Sequence, residues 1–348
     1  MKYLISLSFA LFSINALTAQ IPGASAVANS YASEGTTLGA NETISYNGIS
    51  LGNRVKLRGY ADFILAHTNS ETDESADFTT TADLDFLIDV SPVTAEIHLN
   101  LSSTSDNGED IGLEQAFGRY SFNQNFHLTF GRQLTSLGFD ADESPDLFAV
   151  TSAYSHDQKK GFSLSNNYVD GARLNYNNGK FGLIFGLHDS YGWGNNMNLG
   201  EGVAVDVAAS VMIISGLEGQ IGFAHEDVDD EGDSISQFNA FLSYTNENLT
   251  LGLEHDQYDY FDYALWDIMA LVNYSFTDWF ATTLRYSYED NEIVSLGFES
   301  SDRFSLAMLF SISNNLFVNL EYSHAEHKLI SGGDNDIDEI YLEGLLTF

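Results

Sequence analysis

The sequence predicts an all-β fold: a transmembrane, antiparallel, up-and-down β-barrel of about 16 strands, with 14 or 18 strands as the alternatives. Three observations predict this fold. Apolar and polar side chains alternate with a period of two from Arg54 to Phe348, short turns alternate with longer polar connections, and aromatic residues collect at the segment ends. A closed barrel is the form in which strands cross lipid, because it pairs every backbone polar group.

The alternation is clear in the stretch KFGLIFGLHD. Phe181, Leu183 and Phe185 share one face of that segment, whereas Gly182 and Gly186 share the other. Side chains two apart lie on the same side of a strand, so one side suits lipid and the other suits water. Sixteen such segments begin near Arg54, Phe78, Val93, Gly112, Phe126, Tyr168, Lys180, Val203, Leu217, Ile235, Asn248, Leu265, Trp279, Arg303, Leu316 and Asp338.

The connections between the segments come in two kinds. Tight turns rich in Asn, Asp, Gly and Ser join hairpins, and longer polar loops alternate with them. Seven short turns and eight long loops place both ends of 16 strands on the short-turn side, as in outer-membrane barrels. The short turns lie at 91–92, 123–125, 177–179, 214–216, 246–248, 276–278 and 313–315, and the long loops at 68–77, 103–111, 135–167, 190–202, 227–234, 259–264, 290–300 and 327–337.

A soluble β-sandwich or propeller also has alternating strands and is the alternative fold. The membrane barrel is favoured because apolar and aromatic residues fill one face of strand after strand. Aromatic residues at segment ends also predict interfacial girdles. These are Tyr120, Phe122, Tyr176, Tyr244, Tyr274, Trp279, Tyr286 and Tyr288.

The C-terminal stretch IYLEGLLTF is itself a patterned strand. Phe348, Leu346 and Leu342 share one face, and Glu343 and Tyr341 share the other. A barrel must close its last strand against its first, so we expect this strand to pair to its final residue. Leu346 and Phe348 also resemble the C-terminal signal that the outer-membrane assembly machinery reads, although an aromatic residue often stands at the position of Leu346.

Three ranges divide the chain. Residues 1–19 combine one Lys, an apolar run and small residues, which predicts a secretory signal peptide. Residues 20–52 predict an N-terminal lead segment, and residues 53–348 the barrel. No later apolar run is long enough for a membrane helix, and the chain has no Cys. We therefore expect export to the outer membrane of a Gram-negative-type bacterium.

The chain is strongly acidic, with 50 acidic and 13 basic residues and a formal net charge of −37. Nucleic acid is excluded as a partner, since it is bound through Lys and Arg. The eight long loops carry 25 of the 50 acidic residues, so the loop end of the barrel should be strongly negative. Three interpretations stay open: surface repulsion, attraction of cations to a pore entrance, and binding of divalent ions.

Basic residues alternate with apolar ones on several segments. Arg54, Lys56 and Arg58 share a face, and that face must be the lumen because three charges in hydrocarbon would be prohibitive. Arg132 follows a lipid-facing run and lies on the lipid side unless a bulge intervenes. The predicted basic pore wall consists of Arg54, Lys56, Arg58, Arg119, Arg173 and Arg285.

The sequence contains no recognisable catalytic set. The nine His residues are scattered, and His324 and His327 fall on opposite faces of their strand. Neither a Gly-x-Ser-x-Gly motif nor a phosphate-binding loop is present. We therefore assign no catalytic, cofactor-binding or metal-ligating residues and no cofactor, and we predict that the protein is not an enzyme.

Two stretches in the middle of the chain resemble the putative β-barrel porin-2, OmpL-like family. They are HLTFGRQLTSLGFDADESPDLFAVTSAY and YVDGARLNYNNGKFGLIFGLHDSYG. Motifs cover about the middle third, and the strand pattern covers the barrel. The resemblance implies an outer-membrane channel and carries no assigned catalytic residues. Its motifs are Gly131-Arg132-Gln133, Leu137-Gly138-Phe139, Ser144-Pro145-Asp146 and Gly171-Ala172-Arg173-Leu174.

Loop 135–167 is the longest connection, and a loop of this size usually has a function. We expect it to fold into the lumen, as the third loop of 16-stranded porins does, with an external lid as the alternative. Its acidic residues would then face the basic wall and sort polar solutes, or pair with the wall and stiffen it. The predicted constriction residues are Asp140, Asp142, Glu143 and Asp146.

These features predict an outer-membrane porin through which small hydrophilic solutes or ions, cations among them, diffuse passively in a water-filled lumen. Outer-membrane lipid, the assembly machinery and further copies in a homotrimer are the expected partners. One alternative is a substrate-specific channel for a sugar, peptide or organic ion, in which aromatic residues of 256–266 would guide the solute. Another is a non-conducting anchor or adhesin.

Overall fold

A computed structural model of the chain describes residues 48–70, 74–104, 108–140, 143–154, 168–190, 203–227, 234–260, 263–292 and 297–348. The predicted signal peptide, most of the predicted lead segment and Asp142 lie outside these residues. The described part of the chain contains no helix with the length and hydropathy of a membrane span.

Sixteen long strands and one short strand form a single sheet. The short strand, β1 (Ile49–Ser50), pairs with the beginning of β2. All 16 predicted strands are present, and each begins within five residues of its predicted start. The long strands are β2 (Val55–Ser70), β3 (Glu74–Val90), β4 (Val93–Thr104), β5 (Gly108–Asn123), β6 (Phe126–Leu134), β7 (Tyr168–Asn177), β8 (Phe181–His188), β9 (Ala204–Ile214), β10 (Leu217–Asp227), β11 (Ser234–Asn246), β12 (Leu249–Tyr260), β13 (Tyr263–Thr277), β14 (Phe280–Asn291), β15 (Phe298–Ser311), β16 (Leu316–Leu329) and β17 (Asp334–Thr347).

The sheet closes into a barrel because β17 pairs with β2. Leu346 lies opposite Ala61, and Thr347 lies opposite Tyr60. Each of the other long strands pairs antiparallel with its neighbours in sequence. The fold is therefore the predicted up-and-down barrel, and its strand number is 16.

The closing seam contains a glycine beneath an aromatic ring. Gly59 and Phe348 exchange two backbone hydrogen bonds, each 3.0 Å long between nitrogen and oxygen. A Cβ atom at Gly59 would lie 2.2 Å from the carbonyl oxygen of Asp83 and 3.0 Å from the Phe348 ring. By contrast, a Cβ atom at Gly344, on β17 of the same seam, would have no neighbour within 4 Å in the described part of the chain.

The two faces of the barrel differ in chemistry. The outer face carries large exposed apolar side chains such as Phe185, Leu253 and Phe304. Aromatic rings also contact one another on it, as do Tyr120 and Phe122, whose centroids are 5.0 Å apart. The inner face carries mainly polar and charged side chains. This arrangement suits a barrel with lipid outside and water inside.

The tight turns lie where they are predicted, but several loops are shorter than expected. Strand pairing extends into the loop predicted at 259–264, where Tyr260 at the end of β12 lies opposite Tyr263 at the start of β13. The strands run past the predicted boundaries because a paired ladder can continue beyond the lipid through polar residues. The aromatic stretch 256–266 consequently alternates between faces: Tyr258 is buried inside, and Trp266 is exposed outside.

We predict that Gly59→Ala destabilises the barrel and that Gly344→Ala does not. The new methyl group at residue 59 forces the Asp83 backbone or the Phe348 ring to move, and such overpacking costs about 1–3 kcal/mol. Urea unfolding in detergent, followed by the heat-modifiable mobility of the folded barrel, measures the difference. Equal midpoints for the two variants would show that the seam does not depend on this contact.

Candidate functional site

The described residues of loop 135–167, namely 135–140 and 143–154, lie inside the barrel. They include a short 3-10 turn at Ser144–Asp146. Hydrogen bonds join this part of the loop to the inner faces of β2, β9, β10, β12, β14, β15 and β16. The loop therefore lies against much of the circumference of the lumen.

Two apolar side chains anchor residues 135–140, the first described part of the loop. Each of them rests on a glycine of the barrel wall. A Cβ atom at Gly252 would lie 2.5 Å from the Phe139 ring, and one at Gly222 would lie 2.1 Å from a Leu137 methyl group. Phe139 also stacks on Phe148, with ring centroids 6.1 Å apart and planes within 4° of parallel. The glycines leave the space that these loop side chains fill.

Wall carboxylates accept hydrogen bonds from the loop backbone and hydroxyl groups. The Phe139 N–H donates to Glu254 over 2.6 Å, and the Ser144 hydroxyl donates to Asp62 over 2.9 Å. The Ser136 hydroxyl also donates to Asp206. Because a carboxylate accepts strong hydrogen bonds, these contacts fix both the position and the direction of the loop.

Two arginines of the barrel wall hold the end of residues 143–154, the second described part of the loop. Arg285 donates to the carbonyl oxygen and the hydroxyl of Thr151, and Arg303 donates to the carbonyl oxygen of Ser152. The Arg303 guanidinium also lies 4.5 Å from the centre of the Tyr154 ring, a cation–π contact. The loop carbonyls thus meet cations on β14 and β15.

Asp140 joins the two parts of the loop and also faces the wall. Its carboxylate accepts the Ala153 N–H over 2.7 Å and lies 3.6 Å from Arg285. Glu321 on β16 lies 3.7 Å from the same guanidinium and accepts both the N–H and the hydroxyl of Thr151. Arg285, which is 1% exposed, is therefore a buried cation between a loop carboxylate and a wall carboxylate.

The other predicted wall residues occupy different environments. The inward-facing arginines lie beside wall carboxylates: Arg58 beside Asp85, Arg119 beside Glu96, and Arg173 beside Asp206. Lys56 is half-buried, and Arg54 is exposed just before β2. The structure thus brings Arg285 and Asp140 together and leaves the remaining basic residues distributed around the wall.

The other predicted loop acids are Glu143, Asp146 and Asp142. The Glu143 carboxylate lies 3.5 Å from Nδ1 of His98, whereas Asp146 lies in the short 3-10 turn. Asp142 lies outside the described residues. Glu143 and Asp140 therefore contact different parts of the wall, near His98 and Arg285 respectively.

Arg132 lies on the outer side of its strand, between the inward-facing Gly131 and Gln133. Its guanidinium pairs with Asp170 over 2.9 Å, donates to the carbonyl oxygen of Glu114, and lies 5.5 Å from the Tyr168 ring centre. The charge is thus satisfied by local partners at the loop end of β6 and β7.

Acidic side chains outnumber basic ones in the interior. Among the described residues, 13 acidic side chains are buried against four arginines. Even with the three buried His residues, His98, His127 and His188, protonated, the negative charges would be in excess. The buried acids are Asp62, Asp83, Asp85, Glu96, Asp140, Asp206, Glu226, Glu254, Asp256, Asp267, Glu289, Glu321 and Glu343, and the arginines are Arg119, Arg173, Arg285 and Arg303.

Sequence analysis missed several residues of this site. It did not select Gly222, Gly252, Arg303 or the wall carboxylates that hold the loop. Isolated glycines on the inner face of strands are a usable signal, since a strand glycine often marks close approach of another segment. No comparable signal identifies Glu254 or Glu321, because the interior contains many acids.

Comparison with known proteins gives a family match over most of the barrel. The family model "Putative beta-barrel porin-2, OmpL-like" matches residues 64–342. No curated protein matches the chain in sequence. The match extends from β2 to β17 and so covers well over half of the chain.

Solved structures share the fold at low identity. An anion-selective porin from Comamonas acidovorans is 13% identical with a TM-score of 0.63, covering 84% of this chain and 99% of that one. Salmonella typhi OmpF in complex with daunomycin is 13% identical with a TM-score of 0.64, covering 85% and 98%. The trimer form of Vibrio cholerae OmpT is 13% identical with a TM-score of 0.61, covering 85% and 100%.

We predict that Arg285→Gln loosens residues 151–154. The substitution leaves Asp140 and Glu321 buried beside each other without their shared cation, and breaking such a buried pair costs about 3–5 kcal/mol. Hydrogen exchange of the Thr151 and Ala153 amides, followed by mass spectrometry, should speed up by at least about 100-fold. Arg132→Gln, which removes an outward-facing arginine, is the matched control. Unchanged exchange in Arg285→Gln would contradict the anchoring role.

Proposed function

We propose a cation-favouring diffusion pore for this chain, which belongs to the putative beta-barrel porin-2, OmpL-like family. The observation that carries the cation preference is the excess of buried carboxylates over arginines on the inner face. Fixed negative charges in a confined aqueous path raise the local concentration of cations and lower that of anions.

Passage through such a barrel requires no chemical step. The family consists of channels, and transport through the lumen depends on its width and on the charge of its wall. We assign the narrowing of the lumen to loop 135–167, with Asp140, Asp142, Glu143 and Asp146 as its acidic residues. The wall residues Arg58, Arg119, Arg173 and Arg285 would then neutralise part of the wall's negative charge and hold the loop, rather than attract anions.

The proposed location is the outer membrane of a Gram-negative-type bacterium. The family membership and the apolar outer face support it. In this proposal residues 1–19 direct export and are removed, residues 20–52 lead into the barrel, and residues 53–348 form it. Leu346 and Phe348 would be read by the assembly machinery before the β2–β17 seam closes.

We also propose that three copies assemble into a homotrimer. The Vibrio cholerae relative of the same fold is described in a trimer form, and the outer face of this barrel offers apolar surface to neighbouring copies. A monomer would leave that whole surface to lipid.

The pore proposal predicts cation selectivity that weakens when interior carboxylates are neutralised. Asp256 and Asp267 lie opposite each other on β12 and β13, both buried in the interior. The double variant Asp256→Asn/Asp267→Asn should bring the reversal potential closer to zero in planar bilayers under a salt gradient. Asp302→Asn, on the outer face beside Tyr286, should leave it unchanged. Anion preference of the unmodified protein, or no current steps from folded protein, would refute the proposal.

Location and assembly have a joint test. Expression of the full chain in a Gram-negative host should place the heat-modifiable protein in the outer-membrane fraction, with an N-terminus after Ala19. Chemical cross-linking should yield products up to three copies. Recovery in the periplasm or inner membrane would contradict the proposed location, and a purely monomeric pattern would contradict the trimer.

A further inference from the structure

Four potential metal ligands meet where loop 135–167 touches the wall of β3 and β4. They are Asp83, Asp85, His98 and Glu143, and one ligand atom from each lies within 4.8 Å of all the others. Nδ1 of His98 lies 3.0 Å from the Asp85 carboxylate and 3.5 Å from the Glu143 carboxylate. Two ligands bound tetrahedrally at about 2.1 Å lie about 3.4 Å apart, so side-chain rotation closes the widest separation.

Asp83 supplies a separate indication that a ligand belongs here. Its side chain is 1% exposed, and among the described residues no N–H or hydroxyl group donates to either carboxylate oxygen. Its carboxyl group interacts with those of Asp85, Glu114 and Glu143. Burial of a carboxylate among carboxylates is costly unless a cation or a proton joins them.

The hydrogen bonds around His98 orient it as a metal ligand. Gln115 accepts the Leu134 N–H through its side-chain oxygen, so its amide nitrogen is the atom that faces Nδ1 of His98, at 3.2 Å. That contact is made to Nδ1, the nitrogen that also faces the Asp85 and Glu143 carboxylates. The opposite nitrogen, Nε2, lies 3.1 Å from Glu96 and donates its proton there. A carboxylate behind the imidazole is the usual support of a metal-binding His.

A bulge in the neighbouring strand accompanies this arrangement. The register between β4 and β5 shifts after His98, so that β5 contributes one extra residue, Glu114. Bulges are common next to functional sites because they redirect side chains. Here the bulge places Glu114 and Gln115 side by side next to the cluster.

We propose that Asp83, Asp85, His98 and Glu143 bind a divalent transition-metal ion of the Zn²⁺ class. The single imidazole favours such an ion over Mg²⁺ or Ca²⁺, which prefer oxygen ligands alone. The ion's two positive charges, together with Arg58 beside Asp85, balance the three carboxylates.

The bound ion would connect the loop to the wall. Asp83, Asp85 and His98 belong to the barrel, whereas Glu143 is the ligand from the loop and retains 20% side-chain exposure. Metal binding would therefore fix residues 143–147 against β3 and β4, whereas the Arg285 anchor lies on β14. This inference does not depend on conduction through the barrel.

Equilibrium dialysis of the folded, EDTA-treated protein against Zn²⁺, with excess Mg²⁺ present to occupy surface acids, tests the site. We expect about one Zn²⁺ per chain, a stoichiometry set by one four-ligand site. His98→Gln and Asp83→Asn should each lose it. His188→Gln is the matched control, because it removes another buried interior His, which pairs with Asp206 instead. Glu96→Gln, which keeps all four ligands, should weaken binding by about 10–100-fold.

Heat-modifiable mobility shows whether each variant is folded. If His98→Gln does not fold, Asp83→Asn and Glu96→Gln carry the test. No Zn²⁺ on the unmodified protein, or equal Zn²⁺ on the ligand variants and on His188→Gln, would overturn the proposal.

As a second readout, Zn²⁺ should slow hydrogen exchange at residues 143–147 in the unmodified protein but not in Glu143→Gln. An equal effect in both would exclude Glu143 as a ligand.

Discussion

The requirement that every backbone polar group in lipid be paired governs this structure. It forces the last strand to meet the first, and the β2–β17 seam meets that requirement down to the hydrogen bonds between Gly59 and Phe348. Closure of the barrel pairs the backbone N–H and C=O groups, so the surrounding solvent decides which way each side chain points. The apolar ones point outward to lipid, and the polar ones point inward, where a long loop can use them.

The interior is an arrangement of shared charges rather than of isolated pairs. Arg285 lies between Asp140 of the loop and Glu321 of the wall, and Asp206 meets Arg173, His188 and Ser136 together. Buried charges are costly unless several partners satisfy them. Because loop and wall share one cation, the charges of the wall are fully partnered only when the loop is in its observed position.

Much of the fold is predictable from the sequence, because apolar and polar side chains alternate with a period of two along a strand that separates lipid from water. That period places all 16 strands and all seven tight turns. The long loops were less predictable, because strand pairing continues through polar residues beyond the lipid. The paired residues Tyr260 and Tyr263 therefore fall inside a predicted loop. The site was least predictable. His98 and Glu143 are distant in sequence, and only closure of the barrel and entry of the loop bring them together.

The seating of Phe139 on Gly252 and of Leu137 on Gly222 limits how related barrels can diverge. A larger residue at either wall position has no room while the bulky loop side chain is present, and a smaller loop residue leaves a void over the glycine. Substitutions at these paired positions should therefore occur in compensating steps rather than singly. For the same reason, a loop transplanted from another barrel would need its own glycines carried with it.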